Sequence, residues 1–483
     1  MPAPGLTVTI GSTPASSLVA SQASNAFLVG GAEKGPLDEA VLILSLADFV
    51  QKCGGRYEGY PEPYDWVETY FKEGGAALYF SREVGSSAAQ ASKNIVDAES
   101  KIAVKFKAAN AGAWGNSLKV AVTNASSKIS GTIKLGTKTL LTFSELATNA
   151  ALITLVNEKI SAYVTAETGE AEAAIAKTQE LTFSGGSDAL GSLTTGTLET
   201  ALANFVADLG PGQVAAPQHT AEAAHKAMML HAETLVRFAV LDDDTDSASE
   251  LQADAAALTD SDGDRFSVMV APRAIIPGLT HSAAKRTVAY SAVYCGQIAR
   301  AEGQGYSPNQ PPAGTKRGSA KFALELSKIY TDTELAELND AGVLCAKLVR
   351  GVPVTFGNVT LVDQEGEFAD WKSASAVRTV MSAAGTGAIV MEEYEFETID
   401  GRGIIFSKLK GDLSNRVCMP LFKNNALHGS SPEEAFAVET GPDVNTPTSI
   451  EEEQIRAQIA LRTSPTGERL ELEIVKVPIT ETL

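Results

Sequence analysis

Apolar residues along this chain follow two different periods, and the places where the period changes divide it into segments. Near the start, Leu6, Val8 and Ile10 alternate with Thr7 and Thr9, the pattern of a short strand with loose flanks. A lone strand cannot stay folded without a partner sheet, so it must pair with its own domain or with another molecule. From residue 24 to 84 the pattern is α/β. Ala26-Phe27-Leu28-Val29 is a continuous apolar strand ending in Gly30-Gly31. Ser45 followed by Asp48 predicts a capped helix that stops at Gly54-Gly55, a second helix runs from about Asp65 to Glu73, and Ala76 to Arg82 is the next strand.

Between about 100 and 188 the period changes to short alternating segments: Ile102 to Phe106, Leu118 to Val122, Gly131 to Leu135 and Glu180 to Phe183. Gly, Ser, Thr and Asn separate them, and one helix-like stretch at about 144–162 interrupts them, which predicts a separate β-rich domain. From about 195 to 362 the α/β alternation returns. Helices are predicted at 197–208, 220–235, 247–259, 285–302 and 331–340, and strands at Arg237 to Leu241, Phe266 to Ala271 and Val352 to Val362. Such alternation implies a mainly parallel sheet covered by helices. The last stretch, about 365–483, predicts a helix at 369–384 and strands at 389–397 and 403–409. Two alternating strands end it: Ala457, Ile459 and Leu461 share one face of the first, and Leu470, Leu472 and Ile474 share one face of the second.

A length of 483 residues accommodates two to four domains. Lys plus Arg total 39 against 59 for Asp plus Glu, a formal charge of −20, which argues against non-specific nucleic-acid binding. It opposes self-association unless interfaces carry locally complementary charge. Cys53, Cys295, Cys345 and Cys418 are far apart, so reduced buried thiols are expected rather than a disulfide framework or a zinc site. No signal peptide is visible, and no uninterrupted apolar run reaches the eighteen or so residues of a membrane span. Residues 373–391 come closest, with Arg378 among them. A soluble chain made in a cytoplasm is expected, with no membrane or nucleic-acid partner.

Candidate chemistry is sparse. His219, His225 and His231 are spaced six and six, which on a helix rotates each by about 240° from the last and keeps them from converging on one ion. The acidic groups Asp242-Asp243-Asp244-Thr245-Asp246 and Asp260-Ser261-Asp262-Gly263-Asp264 fail the EF-hand template: Gly263 sits at position four, and the twelfth positions are Ala253 and Ala271. Solvated, helix-capping roles fit them better. Asp242 lies just past a strand, where α/β enzymes often hold ligands, and is the single foothold for catalysis. No phosphate-binding loop or nucleophile elbow occurs.

The most specific segment is Ala111-Gly112-Ala113-Trp114-Gly115-Asn116-Ser117-Leu118. Physically it is a turn, free at its glycines, that delivers a large aromatic into the start of a strand. It closely resembles the Gly-Ala-Trp-Gly-Asn signature of contractile phage tail sheath proteins. Other segments match that family in order. Ser24 to Leu37 is similar to its opening strand and turn, continued by Asp48-Phe49 before Gly54-Gly55 and by Tyr70 to Ala76. Leu338 to Val343 and Gly351 to Leu361 resemble its later Leu-Asn and Trp-Gly segment, with Phe356 and Val359 in place of the usual Trp and Arg. Gly429 to Phe436 and Asn445-Thr446-Pro447 resemble its C-terminal domain, whereas residues 123–180 match nothing in it.

The resemblance implies a mixed α/β and α+β multidomain chain. It would have an N-terminal linking arm (1–20), an α/β core in two parts (21–99 and 189–364), an inserted β-rich outer domain (100–188), and a C-terminal α+β domain (365–483) that faces the tube and links subunits. It implies a structural subunit, not an enzyme and without cofactor or metal. Such a subunit stacks with copies of itself around a tail tube, between baseplate and tail terminator, in a virion tail assembled in the host cytoplasm. Linking is expected from Leu6, Val8 and Ile10 in the N-terminal arm and from Leu470, Leu472 and Ile474 in the last strand. Ser449 and Glu452 have capping-box spacing and predict a short acidic helix, Glu451 to Gln454, whose Glu451 and Glu452 would contact the tube. The alternatives are the sheath of a non-phage contractile injection system, and an α/β enzyme or metal-binding protein with a site near Asp242.

Overall fold

A computed structural model describes residues 24–57, 59–171, 175–176 and 178–468. The described residues divide into two compact units, those up to 305 with 311–374, and 306–310 with 375–468. The expected linking residues Leu6, Val8, Ile10, Leu470, Leu472 and Ile474 lie outside the described residues.

The first unit is organised by an eight-stranded sheet. Its strands are β1 (Ala26–Gly30), β2 (Val41–Ile43), β3 (Leu78–Arg82), β4 (Gln213–Ala215), β5 (Phe238–Asp242), β6 (Ser267–Ala271), β7 (Val343–Val349) and β8 (Val352–Thr355), in the order β8-β7-β6-β5-β4-β1-β3-β2. β1, β3, β4, β5, β6 and β7 run parallel, and β2 and β8 close the two edges antiparallel. β1, β4, β5 and β6 are buried along their whole length, as expected of parallel strands covered on both faces. The covering helices are α1 (Leu46–Cys53), α2 (Glu62–Glu73), α3 (Thr195–Leu202), α4 (Glu222–Thr234), α5 (Ala248–Leu258), α6 (Tyr290–Gly303) and α7 (Asp332–Asp340). Ser45 caps α1 by accepting from Asp48 N, and Thr331 with Glu334 forms the capping box of α7. The four cysteines are reduced and buried.

Between β3 and β4 the chain leaves the sheet and builds a separate core. Strands Ser92–Val96, Ile102–Ala108 and Val164–Thr168 form one antiparallel sheet, and Leu118–Ala125, Lys128–Leu135, Lys138–Leu146 and Thr178–Thr182 form another. Both contribute to one apolar cluster, from Ala91 to Phe183, with Phe106, Trp114, Leu118 and Val120 among its members. The expected helix is the shorter Asn149–Lys159, because Lys138–Leu146 is taken by a strand.

Both ends of this excursion meet at Arg82, the last residue of β3. Its side chain is 1% exposed. The guanidinium donates to the carbonyls of Ala32 (3.0 Å), Gly35 (3.0 Å) and Ala111 (2.8 Å), and to Asp188 Oδ1 (2.7 Å). The other oxygen of Asp188 accepts from Ala113 N at 2.9 Å. Asn116 exchanges two hydrogen bonds of 2.9 Å with the backbone of Gly186. Gly112 has φ +142, and a Cβ there would lie 2.8 Å from both the Arg82 guanidinium and the Asp188 carboxylate. The Gly-Ala-Trp-Gly-Asn segment is therefore a weld between the excursion and the core sheet, which explains Gly112 and Asn116.

The second unit has a core of its own, built on α8 (Ala374–Glu392) and α9 (Ile404–Leu413) and including Ala383, Val390, Tyr394, Ile405, Leu409, Leu413 and Cys418. Two sequence expectations fail here: 389–397 and 403–409 are not strands. The first continues α8 into a loop and the second begins α9. The apolar and β-branched residues at 389–390 and 404–406 carry no strand partner, and helical packing of Val390, Ile405 and Leu409 buries them instead. α8 is long and apolar enough to cross a membrane by length and composition, but Ala383 and Val390 pack into this core. The strand expected at 352–362 ends at Thr355, and the chain beyond it lays Leu361 against β6, with Leu361 N donating to Ser267 O at 3.1 Å.

Removing Asp188 leaves the buried Arg82 charge uncompensated. Asp188→Ala should therefore lower stability by about 3–5 kcal/mol in urea unfolding, and Asp188→Asn by less. A loss below about 1 kcal/mol for the alanine variant would contradict the weld.

Candidate functional site

In open parallel sheets, ligands bind beyond the carboxyl ends of strands where the winding reverses. Here the chain passes from β1 to β3 on one side, then returns to β4 on the other. At or just past the ends of β1, β3, β4 and the next strand, β5, lie Gly30-Gly31, Glu83, Gln218, His219 and Asp242. Their surroundings are packed. A Cβ on Gly30 would lie 2.7 Å from the Pro63 ring, and one on Gly31 would lie 2.6 Å from the Tyr60 ring. The two glycines thus let α2 and its approach settle on the place where such folds hold a ligand.

Asp242 ends β5 and is fully enclosed. Its Oδ1 accepts from Ser291 N at the start of α6 (3.0 Å), and its Oδ2 has no hydrogen-bond partner among the described residues. Burial pushes its carboxyl up to about 6. Next to it, Trp66 Nε1 donates to Ser291 Oγ (2.8 Å), and Glu62 Oε1 accepts from Ala289 N (2.9 Å) and Arg273 (2.8 Å). Further along α2, Asp65 is held by Arg56 and Arg286, and Glu68 by Arg286 at 2.7 Å. One face of α2 therefore carries Glu62, Asp65 and Glu68 against Arg273, Arg286 and Arg56. These ion pairs fix the position of α2.

The three histidines go to three places. His219 Nε2 contacts Glu83 Oε2 at 2.7 Å, His225 Nε2 donates to the Asp242 carbonyl at 3.1 Å, and His231 Nε2 accepts from Arg237 at 3.0 Å. Burial lowers His225 and His231 to about 4, with Arg237 adding to the effect on His231. Among the described residues no group of three or more His, Cys, Asp or Glu side chains is arranged to hold a metal ion. The acidic runs serve as turn caps: Asp243 Oδ1 accepts from Asp244 N and Thr245 N, and Asp264 accepts from Asp260 N and Arg265 N.

In the second unit, the acidic helix lies earlier than expected. It spans Pro447–Glu451 and is capped by Thr446, whose Oγ1 accepts from Ser449 N at 3.3 Å. Ser449 is buried and donates back to Thr446 O, so it does not cap a helix of its own. Proline at the first helical position after Thr446 gave the signal that the Ser449–Glu452 spacing obscured. Glu451 ends the helix, Glu452 follows it, and both side chains are exposed. Beyond them Gln458–Leu461 pairs antiparallel with Phe436–Glu439 in a two-stranded sheet, and Ala457, Ile459 and Leu461 pack on the unit's core.

Asp242, His225 and His231 set a pH dependence. Between about 3.8 and 6 the folded chain holds a proton on Asp242 that the unfolded chain releases, so this carboxyl costs stability as pH rises through that window. His225 and His231 act oppositely. Between about 6.5 and 4 the unfolded chain takes protons that the folded chain refuses, so their contribution is lost as pH falls. Asp242→Asn should therefore gain on the wild type from pH 4 to pH 7, by on the order of 2–3 kcal/mol. Parallel unfolding curves at the two pH values check this; an equal difference at both would contradict it.

No family model and no curated protein matches this chain. Solved structures do. The sheath tail protein of Listeria innocua superposes with a TM-score of 0.61 at 13% identity, covering 87% of this chain and 89% of that one. The sheath tail protein of Desulfitobacterium hafniense gives 0.56 at 14% identity, over 90% and 93% of the two chains. The sheath of the extracellular contractile injection system PVC, in its contracted state, gives 0.57 at 16% identity over 98% of both. Along nearly its whole length, this chain has the fold of the contractile tail sheath proteins.

Proposed function

We propose that this chain is the structural subunit of a contractile tail sheath, which polymerises around a tail tube and contracts to drive the tube through a target cell envelope. The observation that carries the reading is the extent of the shared fold, 98% of both chains for the PVC sheath. The packing at the sheet's carboxyl edge supports it, since Tyr60 and Pro63 fill the place where an α/β enzyme would hold its substrate. On this reading the chain is not an enzyme. Its partners are other copies of itself, the tail tube, the baseplate and the tail terminator, and its location is a virion tail put together in the host cytoplasm.

A second reading within the same class is the sheath of a non-phage injection machine. Coverage favours keeping it: the anti-feeding prophage and PVC sheaths match 98% of this chain, against 87–90% for the two sheath tail proteins.

For linkage, we propose the arm bearing Leu6, Val8 and Ile10, together with the final strand bearing Leu470, Leu472 and Ile474. The two-stranded sheet of the second unit supports this, because two strands are marginal alone and a strand from a neighbour adds backbone hydrogen bonds at its edge. For the tube-facing surface we propose Glu451 and Glu452, which stand exposed at a helix end.

Deleting residues 1–15 should leave a folded monomer that no longer sediments as polymer; wild-type polymer from the truncated chain would sink the arm's role. Glu451→Lys with Glu452→Lys should spare the fold and weaken tube docking, by about 0.2–1 kcal/mol per exposed pair summed over many subunits. Empty contracted sheaths should then replace extended, tube-filled tails in micrographs, and normal extended tails from the double variant would show that this surface faces elsewhere.

A further inference from the structure

The eight-stranded sheet ends at β8 on one side and at β2 on the other, and the chain closes these two edges by different means. At β8 it uses backbone. Ser319 bridges Val354 antiparallel, Ala320 N donates to Pro353 O at 2.9 Å, and Thr355 N donates to Gly318 O at 2.9 Å. At β2 it uses two side chains of α1. Lys52 Nζ donates to Leu42 O at 2.7 Å, and Asp48 Oδ2 accepts from Leu44 N at 3.0 Å. The same two side chains bond each other at 3.0 Å. Backbone groups two residues apart on a strand point the same way, so Leu42 O and Leu44 N belong to one row, the row turned away from β3. That row is what an added strand would pair with. The edge is apolar as well: Leu42, Leu44 and Val50 are 39, 59 and 39% exposed.

We propose that Asp48 and Lys52 are a guard on this edge: they keep the outward backbone row of β2 occupied, so that β2 of a second copy cannot pair with it. A second copy is the strand to exclude because an antiparallel edge is self-complementary. The same groups of two chains meet about a twofold axis, and the exposed leucines come together across it. The carboxylate and the ammonium bond each other as well as the strand. An incoming strand must therefore displace two charge-assisted bonds and leave both charges without their partners on the strand. Sequence spacing places the guard. Asp48 and Lys52 lie one helical turn apart on one face of α1, and Ser45, by accepting from Asp48 N at 3.1 Å, fixes where that helix starts behind β2. The inference stands apart from the sheath reading, because it concerns an edge of the first unit and not the segments proposed for linkage.

The test uses the full chain carrying Leu42→Cys, treated with a short bis-maleimide; the four native cysteines are buried. With Asp48 and Lys52 in place, the yield of cross-linked dimer should stay low. Asp48→Ala with Lys52→Ala should raise it roughly tenfold, because an incoming strand no longer has two bonds to displace. Adding Leu44→Pro, which removes the freed N–H, should return the yield to the guarded level. Lys52→Ala alone leaves Asp48 in the first turn of α1 and should give an intermediate rise. It decides the matter if the double variant fails to fold, and no rise from it then overturns the guard. A folded double variant that melts slightly earlier and forms no added dimer also overturns it, by showing that the pair merely braces α1. So does a rise that survives Leu44→Pro, since the contact is then not made through the backbone of the strand.

Discussion

The buried Arg82 guanidinium is the constraint on which the first unit depends. A single charged group, lodged at the end of a central parallel strand, donates to three carbonyls from two separate loops and to one carboxylate from a third. Burying such a charge is costly unless its donors are matched, and here the matching groups come from the loop after β1, from within the inserted domain at Ala111, and from its exit at Asp188. The chain can therefore leave the sheet for about a hundred residues and return in register, because entry and exit are tied to the same atoms. In the proposed sheath, this lets the core sheet and the inserted domain move as one rigid body, so that motion is confined to the joints between subunits.

That weld also shows how much the sequence could reveal. The segment around Trp114 stood out because glycines flank a large aromatic, and the reason is local: Gly112 has no room for a Cβ beside Arg82 and Asp188. Parallel strands such as Ala26–Gly30 were legible as continuous apolar runs, and helix starts at Ser45 and Thr331 as caps. The errors cluster in the second unit. There the residues at 389–392 and 404–409 have strand-like composition but pack as helices, and 393–397 form a loop, because tertiary burial overrides weak β propensity. The acidic helix was misplaced for a related reason. Ser449-Glu452 has capping spacing, but Thr446 before Pro447 makes the better start, and only one of the two overlapping signals can be used. Asp242 was visible as a strand-end carboxylate, but its enclosure was not, since the residues that seal it, Trp66 and Ser291, are far away in sequence.

The packing at the carboxyl edge of the sheet follows the same physical logic. A doubly wound sheet leaves a crevice at its switch point, and catalysts fill it with substrate. In this chain, Gly30 and Gly31 bring Pro63 and Tyr60 onto that place, and three ion-paired positions of α2 lock the helix there. In the proposed sheath, contacts would be made at the periphery instead, at the two-stranded sheet and at the exposed glutamates 451 and 452.

The most direct measurement is electron microscopy of the purified full-length chain at concentrations that permit assembly. The account predicts striated hollow tubes of uniform width, with stacked rings of subunits resolved on averaging. Monodisperse single particles that never assemble, from a chain shown to be folded, would contradict it.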